Sequence, residues 1–144
     1  MTNKEKKKAR EHAYLLMYQW DLSKMEPQDV IHNYWEGKNE NPKVVEKANE
    51  LFLNAVKSLK LADAEISKHL KKGWLVSRLL PMDRSILRVA AYELINGSFS
   101  PPPAIINDAV DFAKVYGEDE KSPSFINAVL DKINRSRGGA ANSG

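Results

Sequence analysis

Cysteine is absent from the 144 residues. Disulfides and thiolate metal sites are therefore excluded, and a reducing compartment is compatible with the chain. Long apolar runs are absent too. None approaches the roughly 20 residues that a membrane span needs, and the charged start MTNKEKKKAR is not followed by the apolar core of an export signal. These absences lead to the expectation of a cytoplasmic protein that neither spans nor binds a membrane. There is no glycine-rich phosphate loop, no Gly-x-Ser-x-Gly and no thiol nucleophile, so the common sequence routes to an active site are missing. His12, His32 and His69 lie far apart, none in a ligand pair, and read as surface or core-edge residues. The expectation is a non-enzyme without metal or cofactor.

The composition that remains, 42% hydrophobic and 28% charged, is that of a folded chain rather than a disordered one. Its length suits one domain. The formal charge of +3 is unevenly distributed. Lys4, Lys6, Lys7, Lys8 and Arg10 against Glu5 give the first ten residues +4, leaving about −1 for the rest. A cluster of that kind suits a polyanion partner through phosphate neutralisation. The alternative is a solubilising tail.

Apolar residues recur at three-and-four spacing along the whole chain, with no sustained alternation, so the fold class is all-α, with about seven helices. In the first helix Ala9, Ala13, Leu16 and Trp20 form a core stripe with Met17 at its edge. Pro27 opens a short second helix carrying Val30, Ile31 and Tyr34. Asn41 caps a third with Pro42 at its first position, and Val45, Ala48, Phe52, Ala55 and Leu59 share its inner face. A fourth helix is expected from Asp63 as cap to Gly73 as stop. The apolar density of Trp74, Leu75, Val76, Leu79 and Leu80 predicts a buried short helix ending before Pro81. Asp83 then opens a helix that Gly97 closes, and Pro101 to Pro103 predict an extended connection. A helix through Ile106, Ala109, Val110 and Ala113 ends at Gly117, and Ser122 as cap with Pro123 at the first position begins the last one, buried through Ile126, Val129, Leu130 and Ile133. Residues 138–144 are small and polar and are expected to be disordered.

At 100° per residue, Lys7, Tyr14 and Tyr18 fall opposite the first helix's apolar stripe, with Arg10 beside them. Cations neutralise phosphates and aromatic faces accept stacked bases, the combination used by single-stranded RNA sites. Tyr14 reads mainly as core, whereas Tyr18 can be either core or RNA-facing. Tyr116 and Phe125 flank the polar loop from Gly117 to Ser122, where they anchor the loop or bind a ligand. Glu93, Asp108 and Asp111 read as solvated carboxylates or partner contacts.

Four strings, KKKAREHAYLLMYQWDLS, DRSILRVAAYEL, PPPAIINDAVDFAKVYG and SFINAVLDKI, resemble the NusB family in order and spacing over about 130 residues. The resemblance implies two packed helical subdomains within a domain of residues 1–137. It also implies a non-catalytic factor that binds boxA-type single-stranded RNA of ribosomal transcripts together with NusE, a small-subunit ribosomal protein, in an RNA polymerase antitermination complex. The family includes monomers and dimers, so a homodimer is open. Position by position, Lys6, Lys7, Lys8 and Arg10 match the family's basic arm, with lysine where arginine is common. Tyr18, Tyr116 and Phe125 match aromatic RNA positions, Arg84 and Arg88 match basic positions of the middle helix, and Asp119 lies in the acidic loop near the RNA and partner surface. Ala128 stands where the family commonly has glycine. Two other readings are kept: the RNA-binding appendage of a ribosomal RNA methyltransferase, for which this chain leaves no room for the catalytic domain, and a helical interaction module without RNA contact.

Overall fold

Thr2 starts the first helix by a reciprocal cap. Its hydroxyl accepts from the Glu5 N–H at 3.0 Å, and the Glu5 carboxylate accepts from the Thr2 N–H at 2.8 Å. The basic stretch expected as an arm is therefore the first two turns of α1 (Asn3–Ser23). The computed structural model describes residues 1–138. Within them the chain forms α1, α2 (Pro27–Trp35), α3 (Pro42–Lys57), α4 (Leu59–Lys68), a 3-10 turn at Val76–Arg78, α5 (Pro81–Asn96), α6 (Pro102–Tyr116) and α7 (Ser122–Ser136), and no strand. The expected disordered tail lies, apart from Gly138, outside the described residues.

Several boundaries differ from the sequence reading: α4 stops at Lys68, short of Gly73, and Ser122 is the first residue of α7 rather than its cap, a place held by Lys121. Helix α4 begins one residue after α3, with Ser58 between them, so Asp63 is no cap; it lies in mid-helix and reaches Arg88. Pro81 starts α5 rather than stopping a helix, because a proline at the first helical position gives up an N–H that has no intrahelical partner there. The triple proline acts in the same way: Pro101 is extended, while Pro102 and Pro103 already belong to α6. The segment before Pro81 holds only one 3-10 turn, and of its large side chains Leu79 is buried and Val76 partly so, while the others are not. Trp74 is 50% exposed and Leu75 56%.

Helix α1 packs chiefly on α3, with α2 beside them, and α4, α6 and α7 surround α5. Helix α5 also touches α1 and α3, so the two groups of helices share one continuous core. Tyr14, Leu16 and Met17 of α1 belong to that core together with Phe52, Ile66, Ile86, Leu87, Ile105, Phe112, Ile126 and Leu130. Each such side chain contributes about 1.5–3 kcal/mol on burial. Gly117, at the end of α6, makes the turn into α7 possible by close approach. A Cβ there would lie 2.4 Å from the Ala113 carbonyl oxygen and 2.9 Å from Ser122 Cβ.

Candidate nucleic-acid interface

The lysines at the start of α1 divide according to their partners. Lys7 donates to Asp111 of α6 at 2.7 Å, and Lys8 lies 3.3 Å from Glu40 of the α2–α3 loop. Lys4 and Lys6 have no carboxylate within salt-bridge distance among the described residues. Glu40 also meets His12 Nε2 at 2.8 Å, while His12 Nδ1 contacts the Tyr34 hydroxyl at 2.6 Å. Burial works against ionisation of Glu40, but His12, the Asn41 N–H and Lys8 outweigh it and hold its pKa below the ordinary carboxylate value.

Three expected phosphate-binding cations point inward instead. Arg10 is 1% exposed. Its Nε donates to Glu93 at 2.8 Å and its Nη1 to Asp108 at 3.0 Å, and its guanidinium carbon lies 4.8 Å from the centre of the Phe99 ring. Glu93, read from the sequence as a solvated carboxylate, is buried with it. Arg84 donates to Asp21 at 2.5 and 3.2 Å and to the carbonyl oxygens of Ser77 and Leu79, which holds the irregular segment against α5. Arg88 is buried; its Nε and Nη2 fork the Asp63 carboxylate at 2.9 Å each, and its Nη1 reaches Asp21 at 3.1 Å. The physical reason is common to all three. A buried guanidinium must be paired, and the helices supply carboxylates that sequence spacing does not reveal. These arginines join α1, α4, α5 and α6.

The rings also separate. Tyr14 is fully buried, 5.0 Å from Phe112, and Tyr18 is half-buried against the core. Tyr116 is 52% exposed and stacks on Phe112 at 4.5 Å with 27° between planes. Phe125 packs against Trp74 instead, at 6.3 Å and 45°. Among the described residues no ring contact joins Tyr18, Tyr116 and Phe125.

Phe125 and Trp74 form part of a groove of about 700 Å³ between the segment following α4 and helix α7. Leu79, Leu80 and Val129 give it apolar walls, while Lys71, Arg78, Lys121 and Lys132 place four cations on its lining. Lys71 Nζ lies 5.8 Å from the centre of the Trp74 ring. Asp119 lines the same groove and orders its loop by accepting from the Lys121 N–H at 2.7 Å; the next-door Glu118 accepts from the Met82 N–H at 2.9 Å, capping α5 from outside. Asp83 is buried at the groove, and burial first, then Glu118 and Asp119, push its carboxyl above the ordinary range against the pull of Ser122. Of the residues lining this groove, the sequence reading singles out Phe125 and Asp119 as candidates, assigns Trp74 to the core and does not name Lys71, Arg78, Lys121 or Lys132 among the candidates. The available signal was a tryptophan directly after Lys71, Lys72 and Gly73.

The groove thus sets a half-exposed tryptophan and a partly buried phenylalanine among four cations. The NusB family model matches residues 7–135. The chain belongs to the NusB family. Its relatives include the transcription antitermination protein NusB of Aquifex aeolicus, 38% identical over 89% of this chain and 86% of that protein, and that of Bacillus thuringiensis, 36% identical over 90% of this chain and 96% of the other. Among solved structures, antitermination factors NusB and NusE in complex with double-stranded RNA match with a TM-score of 0.84 and 34% identity, over 94% of this chain and 99% of that one. The solution structure of NusB from Aquifex aeolicus matches at 0.80 and 35%, over 97% and 93%. No described helix of this NusB-family chain is long and apolar enough to cross a membrane.

Proposed function

We propose that this chain is a cytoplasmic transcription antitermination factor that binds RNA together with a NusE-type ribosomal protein, as a non-catalytic adaptor to RNA polymerase. The observation that carries this reading is the groove in which the half-exposed Trp74 packs against the partly buried Phe125 among Lys71, Arg78, Lys121 and Lys132. Rings of this kind stack on bases, and the cations neutralise the flanking phosphates. The family relationship gives the RNA its class, with boxA of ribosomal transcripts as the expected target. Lys4, Lys6, Lys7 and Lys8 supply a second cationic surface, and Tyr116 an exposed ring outside the groove. Arg10, Arg84 and Arg88 support the body that holds these surfaces.

RNA titrations test the reading, using boxA as a single strand and as a duplex and a scrambled strand, each with and without NusE. Specific RNA should bind more tightly with NusE present. Because the coupling is reciprocal, RNA must tighten NusE by the same factor. Equal affinity for boxA and scrambled RNA in the presence of NusE, or no binding at all, would sink it.

A further inference from the structure

The Asp111 carboxylate lies between two lysines from different helices. Its Oδ2 is 2.7 Å from Lys7 Nζ of α1, and its Oδ1 is 3.8 Å from Lys114 Nζ of α6. One oxygen faces each cation, which is how a phosphate would occupy the same place. The position is at the surface, with Lys7 38%, Asp111 45% and Lys114 63% exposed at the side chain. The Lys7 hydrogen bond draws the Asp111 pKa down and raises that of Lys7, so both are charged at neutral pH. The two oxygens of this site are thus supplied by the chain itself.

We propose that Asp111 is a resident competitor of RNA phosphate, occupying the Lys7 and Lys114 anion site in the free protein and setting how selectively that site accepts RNA. The inference rests on the RNA-binding reading above. An exposed ion pair is weak, so a phosphate can displace this carboxylate. The displaced group stays tethered to α6 close by and repels the incoming charge. RNA that also seats in the Trp74 and Phe125 groove, or against a partner protein, has other contacts to offset that repulsion; an arbitrary polyanion does not. The neighbouring pairs are less suited to exchange. Glu40 is held by His12 as well as Lys8, and of the carboxylates on Arg10 Glu93 is inside the fold and Asp108 mostly covered. Asp111 is the acid that RNA can move.

The test is a salt series of RNA titrations on the full chain without NusE, using boxA and scrambled strands and repeating the wild type with NusE. The variants are Asp111→Asn, Asp111→Ser, Lys7→Ala/Lys114→Ala, the triple combination with Asp111→Asn, and Asp131→Asn. The last removes the same charge from an exposed pair on α7, where Asp131 lies 2.9 Å from Arg135. Asp111→Asn should tighten both RNAs about three- to ten-fold at low salt. The gain should be at least as large for the scrambled strand, so that preference for boxA narrows. The gain should disappear when both lysines are alanine, and Asp131→Asn should give a smaller effect. Asp111→Ser repeats the test with a different side chain should the asparagine variant fold poorly. If the wild type binds RNA but neither Asp111 variant exceeds Asp131→Asn, or if the gain survives without the lysines, this inference fails and the proposed function stands. Absence of wild-type RNA binding with and without NusE removes both.

Discussion

Arg10 and Lys7 are three residues apart on one helix, yet one is sealed in the core and the other is half in water. The difference lies in what faces them: Glu93 and Asp108 close over the guanidinium, whereas Asp111 meets Lys7 at the rim. Arg88 follows the same rule with Asp21 and Asp63. Removing one member of a buried ion cluster leaves the others uncompensated, at a cost of about 3–5 kcal/mol. Arg88→Ala should therefore lower folding stability by that order in urea unfolding, while Lys6→Ala changes it little; an unaltered unfolding midpoint for Arg88→Ala would return that residue to the list of RNA contacts. Trp74→Ala should show the reverse pattern. A half-exposed ring contributes little to the core, but a stacked base is worth roughly 1–3 kcal/mol, so its RNA affinity should fall about five-fold to more than a hundred-fold with the melting temperature nearly unchanged. Tyr116→Ala should also remain folded, since its ring lies outermost on Phe112.

Elements are set by their ends as much as by their faces. Thr2 and Glu5 satisfy each other's backbone groups at the start of α1, and replacing such a cap by alanine costs about 1 kcal/mol. Thr2→Ala should fray the turn that carries Lys4, Lys6 and Lys7, visible as faster amide exchange there, and weaken RNA binding as the lysines lose their fixed spacing. Gly117→Ala should be worse, because its Cβ would press on the Ala113 carbonyl and on Ser122. Overpacking of this kind costs about 1–3 kcal/mol, and the loop holding Asp119 would shift with it; wild-type stability and RNA affinity in this variant would show that the turn has slack. Much at this scale was legible beforehand. The stripe of α1, the Asn41 cap and the stops at Gly97 and Gly117 follow from period and capping chemistry, whereas on α3 the expected Ala48, Phe52 and Ala55 are buried together with Val44 and Leu51 rather than with Val45 and Leu59. The exposure of Trp74, Leu75 and Leu80 was not legible, because apolar density reports a wish for burial, met here at Leu79, and not whether a neighbour is available to cover each side chain. The prolines misled for a related reason: Pro81 and Pro102 break a helix from within but start one at its first turn. The arginine pairs were invisible because their partners lie between 25 and 98 residues away in sequence.

The molecule as a whole carries carboxylates shifted in opposite directions, and this shapes its stability against pH. Asp21 is opposed by burial, but the Arg84 hydrogen bond and the charges of Arg84 and Arg88 outweigh that and hold its pKa below the ordinary value. Glu40 and Asp111 are shifted the same way. The stability these groups supply is complete above their unfolded values, about 3.9 for Asp and 4.3 for Glu, and is lost as pH falls through their folded ones. Unfolding in acid should therefore set in below about pH 4. Asp83 runs the other way: burial raises its pKa, and Oδ1 has no hydrogen-bond partner of good geometry although Ser122 is close enough to pull the pKa back in part. A raised carboxyl favours the fold fully below about pH 3.9 and loses that contribution as pH climbs through its folded pKa. At neutral pH its charge is thus a burden, against which stands its favourable place in the first turn of α5. Burial is the largest cause acting on Asp83, so Asp83→Asn should melt higher than wild type at pH 7. The difference should shrink on acidification and vanish below about pH 3.9, where the wild-type carboxyl is protonated in both states. A lower melting temperature for Asp83→Asn at pH 7 would mean that the helix terminus and Ser122 outweigh desolvation, and that the ionised Asp83 stabilises the groove.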